Sequence, residues 1–314
     1  MRTAAGAAAG RQEDVVRPSP GLAAGRRLAL VAVAALALSP VGAAAQTSIP
    51  LERDTFDLWT IHARAGGTDA VFVVDLGAGS EVLSSAFGSR VRLGDAGVFT
   101  GFRSTGQRVD AARVRIAPIA IGPAATPSDA SVWAGLDGSG LDGLVSARTF
   151  AASPVTLDFA NRRLVFETPE SLAERVRRGA VLPVTTDSYR GLALDVFVDF
   201  DLGGGRTGRC ELDTGSGAVD LNARYLPDLG LARDSLATTR MPGSTATFYR
   251  GRLPGSLAPV GAPALAVDRP AVRFGDYIYD CIVGLSFWTR TTLTLDLPHG
   301  RIIVAAAGAG AGTR

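Results

Sequence analysis

The chain has 314 residues, enough for two domains of ordinary size, and its 38 glycines and 17 prolines suit many strands joined by turns. The formal net charge is +2, but residues 1–46 contribute +3, so the remainder carries −1 and nucleic acid is not an expected partner. Two cysteines, two histidines and no Gly-x-Ser-x-Gly motif argue against a Cys/His metal site and a serine hydrolase, and we expect neither metal nor cofactor.

The first predicted element is an export signal. Arg26-Arg27 precede an apolar run over residues 28–38, and an Ala-x-Ala pattern ends at Ala45. These features are typical of a secretory signal peptide. We predict a signal peptide and N-terminal extension over residues 1–46, cleavage near Ala45, a periplasmic or secreted location and no stable membrane span after cleavage. An uncleaved anchor is the alternative.

In the first half, an apolar strand over residues 70–74 runs into Asp75-Leu76-Gly77-Ala78. A strand followed by Asp-x-Gly delivers a carboxylate to a tight turn, where glycine lets other backbone come close. An ordinary turn would have the same residues, so the motif alone is weak.

Further along this half, residues 99–106 predict a Gly-rich hairpin that contains Gly101, Phe102 and Gly106. Thr168 and Pro169 then predict the start of a helix, as N-cap and first helical residue.

The second half contains a similar strand over residues 206–212 that ends in Asp213-Thr214-Gly215-Ser216. Here Thr214 and Ser216 supply hydroxyls that can hydrogen-bond around the carboxylate. The Ala/Gly-rich residues 307–314 predict a disordered tail.

One spacing relates the two halves. Asp213 lies 138 positions after Asp75, and the same offset maps residues 155–158 onto 293–296 and residues 142–146 onto 280–284. Three blocks at one offset indicate an internal duplication. Asp158 and Asp296 also match across the repeat, but their place in closing hairpins predicts surface or turn carboxylates.

This pattern resembles the two-lobed pepsin-like and retropepsin-like aspartic proteases, in which each lobe supplies one Asp-Thr/Ser-Gly turn. The resemblance implies a mainly β, bilobed fold, with two related β-barrel-like lobes and a cleft between them. The implied divisions are an N-terminal lobe over 47–168, a linker helix over 169–180 and a C-terminal lobe over 181–306. Two residues depart from the family pattern: Leu76 replaces a hydroxyl residue and Ser146 replaces a glycine.

The resemblance also implies roles. Asp75 and Asp213 would form a catalytic dyad that activates a water, and the hairpin at 99–106 would be a flap over the cleft, a plain surface hairpin being the alternative. Cys210 and Cys281 fall on strands that are neighbours in the resembled fold, so they form either a disulfide or two buried free thiols.

The leading hypothesis is therefore an exported aspartic endopeptidase that hydrolyses a peptide or unfolded protein, as a monomer with pseudo-twofold symmetry. The departures at Leu76 and Ser146 motivate a second hypothesis, a catalytically weak or inactive peptide-binding protein of the cell envelope. A structural envelope protein that reuses the fold is the third. The sequence does not assign which aspartate is the acid.

Overall fold

The structure is a computed structural model that describes residues 46–65, 67–240 and 246–308. The predicted signal peptide with its cleavage near Ala45, and all but two residues of the predicted tail over 307–314, lie outside the described residues. Within the described residues, no helix is both long and apolar enough to cross a membrane.

The first lobe is a curled sheet of ten strands among the described residues. Glu52–Arg53 pairs with one of these strands outside the main path. In spatial order the other strands are Gly94–Phe102, Arg108–Arg115, Asp129–Trp133, Val82–Ser84, Gly143–Val145, Thr68–Val74, Trp59–Ala65, Ala120–Ile121 and Ala124–Ala125.

The second lobe, in the part that the structure describes, is also a curled sheet of ten strands. Thr185–Tyr189 pairs outside the main path. In spatial order the other strands are Ala237–Arg240, Thr247–Arg252, Ala271–Gly275, Val219–Asn222, Cys281–Val283, Thr207–Leu212, Ala193–Asp201, Ser256–Pro259 and Val267–Asp268.

The two lobe sheets repeat the same arrangement. In each, the strand that ends at the Asp-x-Gly turn pairs in parallel with a three-residue strand, and the register also repeats: Val145 lies opposite Val74, and Val283 lies opposite Leu212. The offset of 138 positions seen in the sequence is therefore the offset between equivalent places in two copies of one structural unit.

A third sheet, antiparallel and of six strands, contains strands from both halves of the chain. At its centre, Thr156 and Thr294 meet with 2.7 Å between their Oγ1 atoms, and neither side chain is accessible to solvent beyond 1%. In spatial order its strands are Thr47–Pro50, Arg163–Phe166, Val155–Asp158, Thr291–Asp296, Arg301–Ala306 and Ala180–Pro183. This sheet joins the halves through paired backbone instead of a hinge.

The longest described helix is Pro169–Arg178, and it begins as the sequence predicts, with Thr168 as N-cap and Pro169 as first residue. It ends at the C-cap Gly179, and Ala180, the last residue of the predicted range 169–180, begins a strand. The Thr168 side chain accepts from the Ser171 amide, and the Ser171 side chain accepts from the Thr168 amide, which completes a capping box. The short α-helices are Ser85–Gly88 and Leu285–Trp288, and the 3₁₀ helices are Ala134–Leu136, Ala147–Phe150, Ala223–Tyr225, Arg233–Ser235, Pro263–Leu265 and Leu297–His299.

Cys210 and Cys281 lie opposite each other on parallel strands and are joined by a disulfide, with 4.4 Å between their Cα atoms. Both residues are fully buried. Of the two alternatives left open by the sequence, the structure therefore contains the disulfide. It ties the strand that carries Asp213 to the strand beside it.

For the two further carboxylates that match across the repeat, the structure differs from the prediction of surface or turn carboxylates. Asp158 and Asp296 are the last residues of their strands, where the hairpin turns begin, but they are only 5% and 0% exposed and are not on the surface. Asp158 accepts hydrogen bonds from the backbone and side chain of Asn161, and Asp296 accepts from His299 and Arg301. Both are buried carboxylates at strand ends and have hydrogen-bond partners, as buried charges require.

Ser146, one of the two departures from the resembled family, belongs to a buried polar network. Its Oγ atom donates to Glu81 Oε1 at 2.7 Å, while Arg148 Nη1 contacts Glu81 Oε2 at 2.9 Å and Thr149 Oγ1 contacts Oε1 at 3.0 Å. Arg148 also pairs with Asp129. The serine thus has a structural partner of its own, and this network includes neither Asp75 nor Asp213.

We therefore expect Ser146→Gly to lower the free energy of unfolding by about 1–3 kcal/mol, because the buried Glu81 carboxylate loses a donor. Chemical denaturation measures this loss, and Ser146→Ala separates the lost hydroxyl from the added backbone freedom of glycine. A Ser146→Gly protein as stable as the unmodified chain would contradict this role.

Candidate active site

Both predicted active-site aspartates lie at the ends of central strands. The Asp75 amide donates to the Val145 carbonyl at 2.9 Å, and the Asp213 amide donates to the Val283 carbonyl at 3.1 Å. These are equivalent bonds in the two lobes. Each lobe sheet therefore fixes where its aspartate leaves the strand.

The turns then fold back on the carboxylates. Asp75 Oδ1 accepts from the Gly77 and Ala78 amides, each at 3.0 Å, and Asp213 Oδ1 accepts from the Gly215 amide at 2.7 Å. Backbone donors of this kind hold a carboxylate in one orientation and favour its ionised form.

The two turns are also in close contact with each other, and this contact requires glycine in both turns. A Cβ atom added at Gly77 would lie 2.5 Å from Asp213 Cγ, and one added at Gly215 would lie 2.2 Å from Asp75 Cγ. Nonbonded carbon atoms do not approach each other this closely, so a side chain at either position would overlap the opposite carboxylate. The glycine of each turn thus covers the carboxylate of the other, and the structure brings Asp75 and Asp213 together.

Between the lobes, one threonine links the two turns. Thr214 Oγ1 accepts from the Leu76 amide at 3.0 Å and donates to the Val74 carbonyl at 2.6 Å, and Thr214 is fully buried. Leu76 is 1% exposed and packs in the main core. It has no hydroxyl, and in the described part of the chain the Thr214 amide has no hydrogen-bond partner. The exchange across the lobes is therefore one-sided.

Ser216, the last hydroxyl of the second turn, accepts weakly from the Ala218 amide at 3.4 Å.

Burial and mutual repulsion set the protonation of the pair. Burial, followed by the charge of Asp75, raises the pKa of Asp213 well above its ordinary value. The pKa of Asp75 is also raised, mainly by burial, although the hydrogen bonds from Gly77 and Ala78 oppose the rise. Two carboxylates in this relation share a proton over a range of pH in which isolated ones would both be ionised.

The predicted hairpin lies over this site. Strands Gly94–Phe102 and Arg108–Arg115 form it, and its residues 99–105, with Gly101 and Phe102, line a cavity of about 780 Å³ together with Asp213. At its tip, the Ser104 carbonyl accepts from the Ile278 amide at 2.8 Å, and a Cβ atom at Gly106 would meet Ile278 at 3.3 Å. The hairpin therefore reaches the second lobe and covers the cavity.

Of the predicted turn residues, Gly77 and Ala78 line the same cavity, whereas Asp75 itself does not, although it keeps some exposure. Residues of both lobes line the cavity.

Sequence reasoning assigned no role to three residues that share the cavity: Asp195, Glu211 and Tyr279. For Glu211 a signal was available, because a residue two positions before Asp213 on the same strand points to the same face. Asp195 and Tyr279 come from other elements, and only the pairing of strands places them here.

No protein-family model and no curated protein match this chain. Solved structures do match it. The aspartic proteinase from Irpex lacteus is 13% identical over 86% of this chain and 99% of that chain, with a TM-score of 0.51. The structure of edgp is 10% identical over 88% of this chain and 98% of that chain, with a TM-score of 0.53. At these identities the likeness is one of fold, and the chain has the mainly β, two-lobed, pepsin-like fold found in an aspartic proteinase.

Proposed function

We propose that the protein is an aspartic endopeptidase in which Asp75 and Asp213 hydrolyse peptide bonds with an activated water. One observation carries this proposal: two aspartates from equivalent turns meet between the lobes, and each is covered by the glycine of the opposite turn. The raised pKa of Asp213 supports the shared proton that the chemistry needs.

In this mechanism the ionised carboxylate removes a proton from a water bound between the pair, and the neutral carboxylate donates to the scissile carbonyl oxygen. Asp75 accepts two backbone hydrogen bonds within its own turn, which favours its ionised form, and the larger rise in pKa favours Asp213 as the neutral member. No covalent intermediate forms, so the chemistry requires no further nucleophile.

The proposal includes export, for which the basic flank, apolar run and Ala-x-Ala pattern before Ala45 are the support. A disulfide suits an oxidising compartment such as the periplasm or the exterior. The substrate would be a peptide or unfolded protein that enters beneath the hairpin.

A second candidate function, peptide binding with little or no turnover, is favoured by one observation. Leu76 removes half of the hydrogen-bond exchange that links the two turns, so the carboxylates are held from one side only. Turnover assays separate the two candidates.

The first prediction of this proposal concerns the dyad. Asp75→Asn and Asp213→Asn should each lower kcat by about 10³-fold or more, because one carboxyl group cannot serve as both acid and base. Cleavage of an unfolded polypeptide measures the effect. Asp69→Asn, an exposed carboxylate on the strand that leads to Asp75, is the control and should keep full activity. Full turnover by Asp75→Asn would refute the dyad.

A second prediction concerns pH. The pair is competent with one proton, so activity should peak below neutral pH and fall as the pH rises through the raised pKa of Asp213. That falling limb should lie above pH 4, near which an isolated aspartate titrates. A pH profile of kcat/KM locates it. Activity confined to alkaline pH would exclude this chemistry.

Leu76 gives a third prediction. Leu76→Thr should raise kcat, because the new hydroxyl gives the Thr214 amide a partner and fixes the carboxylates from both sides. The lost apolar packing should lower the free energy of unfolding by about 1–2 kcal/mol, partly offset by the new hydrogen bond.

The matched control is Leu76→Val, which has the shape of threonine without its hydroxyl. Valine should lower stability without raising kcat. Equal kcat values for the two variants, in proteins that fold well, would show that the hydroxyl at this position has no catalytic role.

A further inference from the structure

Beside the aspartate pair lies a third carboxylate that the hydrolytic mechanism does not use. Glu211 is two residues before Asp213 on the strand Thr207–Leu212, so both side chains point to the same face. Glu211 is only 4% exposed, yet it lines the 780 Å³ cavity with Asp213. Removing a carboxylate from water is costly unless it has a partner.

Glu211 has no such partner. Among the described residues, no backbone or side-chain group hydrogen-bonds to its carboxylate. The nearest arginine on its own strand, Arg209, pairs with Asp187 at 2.9 Å and lies 4.2 Å from the centre of the Phe197 ring. A buried carboxylate that faces a cavity without a counter-ion is an incomplete ion pair.

A second carboxylate faces the same space. Asp195, on the strand Ala193–Asp201, is a diagonal neighbour of Glu211, because Phe197 is the residue directly opposite Glu211. Its side chain also makes no hydrogen bond or ion pair within the described residues. On the side of the first lobe, a Cβ atom at Gly79 would lie 2.9 Å from Asp195 Oδ1. The Gly79 backbone therefore lies beside this carboxylate with no side chain between them.

The walls of this part of the cavity are aromatic. Phe248 and Tyr279 line it, and the Tyr279 ring packs edge-on against Phe197 with 5.2 Å between centroids. Aromatic walls with acidic groups between them suit a long cationic side chain, whose methylene stem packs on apolar surface while its charged end reaches the carboxylates.

The electrostatic environment of Glu211 is mainly acidic. The carboxylates that act on it are Asp213, Asp195 and Asp75, and Tyr279 also lies close. Asp187 acts on Asp195 and Tyr279 and is itself paired with Arg209. Arg103 of the hairpin is a cation that also lines the cavity. Burial, then Asp213, Asp195 and Asp75, raises the pKa of Glu211 well above its ordinary value. Burial and Asp187 raise the pKa of Asp195 to about 6. A cation that entered would lower both values and restore both charges.

We infer that Glu211 and Asp195 form an acidic subsite that binds an arginine or lysine side chain of the substrate close to the scissile bond. The inference rests on the proposed function for the position of the scissile bond, but the binding itself needs only the cavity. It makes the enzyme selective for peptides with a basic residue at one position, instead of for apolar residues throughout.

The test uses a cleavable parent peptide in which arginine, or its neutral isostere citrulline, is placed in turn at each of three positions on either side of the scissile bond. At one position, arginine should raise kcat/KM by about 10-fold or more over citrulline, because charge-assisted hydrogen bonds are stronger than neutral ones. The ratio should grow as the pH rises from 4 to 7, since Asp195, whose pKa is raised to about 6, then loses its proton. The protonation of the aspartate pair in the free enzyme affects both peptides alike and cancels in the ratio of their kcat/KM values.

Glu211→Gln should reduce the arginine-to-citrulline ratio to nearly 1 and remove its dependence on pH. Asp195→Asn should reduce the ratio by a smaller factor, and it provides a second variant if the first folds poorly. The matched control is Asp199→Asn, an exposed carboxylate on the same strand as Asp195 but outside the cavity, which should leave the ratio unchanged. A ratio near 1 at every position, or a ratio that survives Glu211→Gln, would overturn the inference.

A binding measurement keeps this result separate from the proposed hydrolysis. Fluorescence anisotropy gives the Kd of each labelled peptide, with Asp75→Asn if the unmodified protein cleaves peptides and with the unmodified protein if it does not. A preference for arginine that is lost in Glu211→Gln supports the subsite even when no peptide is cleaved. Equal Kd values for the two peptides, in a protein that does cleave peptides, reject the subsite and leave the proposed hydrolysis standing.

Discussion

Two carboxylates held against each other away from water repel and must share a proton, so they stay together only where the surrounding structure forces them to. Here the force comes from both lobe sheets and from two glycines. A Cβ atom at either Gly77 or Gly215 would overlap the carboxylate of the opposite turn. The strands that precede the two turns therefore have to end at equivalent positions in the two lobes. The hydrogen bonds from the Asp75 and Asp213 amides to the neighbouring strands fix these ends. The shared six-stranded sheet, with Thr156 against Thr294 at its centre, fixes the lobes relative to each other.

The two halves of the chain carry different side chains at equivalent positions where the surrounding residues permit the difference. A Cβ atom at Gly284 would lie 2.2 Å from the Ala218 carbonyl oxygen, so glycine is required in the second lobe. The equivalent residue of the first lobe, Ser146, instead donates to Glu81 within a buried ionic network. Leu76 differs in kind: it replaces a hydroxyl that would bond across the lobes with apolar packing. The hydrogen bond to Glu81 therefore compensates for the serine at position 146, whereas Leu76 leaves the link between the two turns one-sided.

The cavity combines the aspartate pair with an excess of negative charge. Apart from the pair itself, Glu211 and Asp195 face the cavity without an ion-pair partner among the described residues. The nearby Arg209 is held by Asp187, and Arg103 lines the cavity from the hairpin. Asp213, Asp195 and Asp75 each raise the pKa of Glu211, so the charge of the pair and the protonation of its surroundings are coupled. A cationic group that entered the cavity would therefore change the electrostatics of the aspartate pair.

The repeat could be predicted from the order of the amino acids, because duplicated strands keep their spacing. The offset of 138 positions, the two Asp-x-Gly turns and the start of the helix capped by Thr168 all follow from local patterns. The sequence also indicated the mainly β class. Only the tertiary structure decided that Cys210 and Cys281 are bonded, that Asp158 and Asp296 are buried, and that Asp195 and Glu211 share one cavity with Asp213. The physical reason is that burial and charge interactions depend on which strands pair across the sheet. Local sequence specifies the strands, and their pairing is set by contacts between residues far apart in the chain.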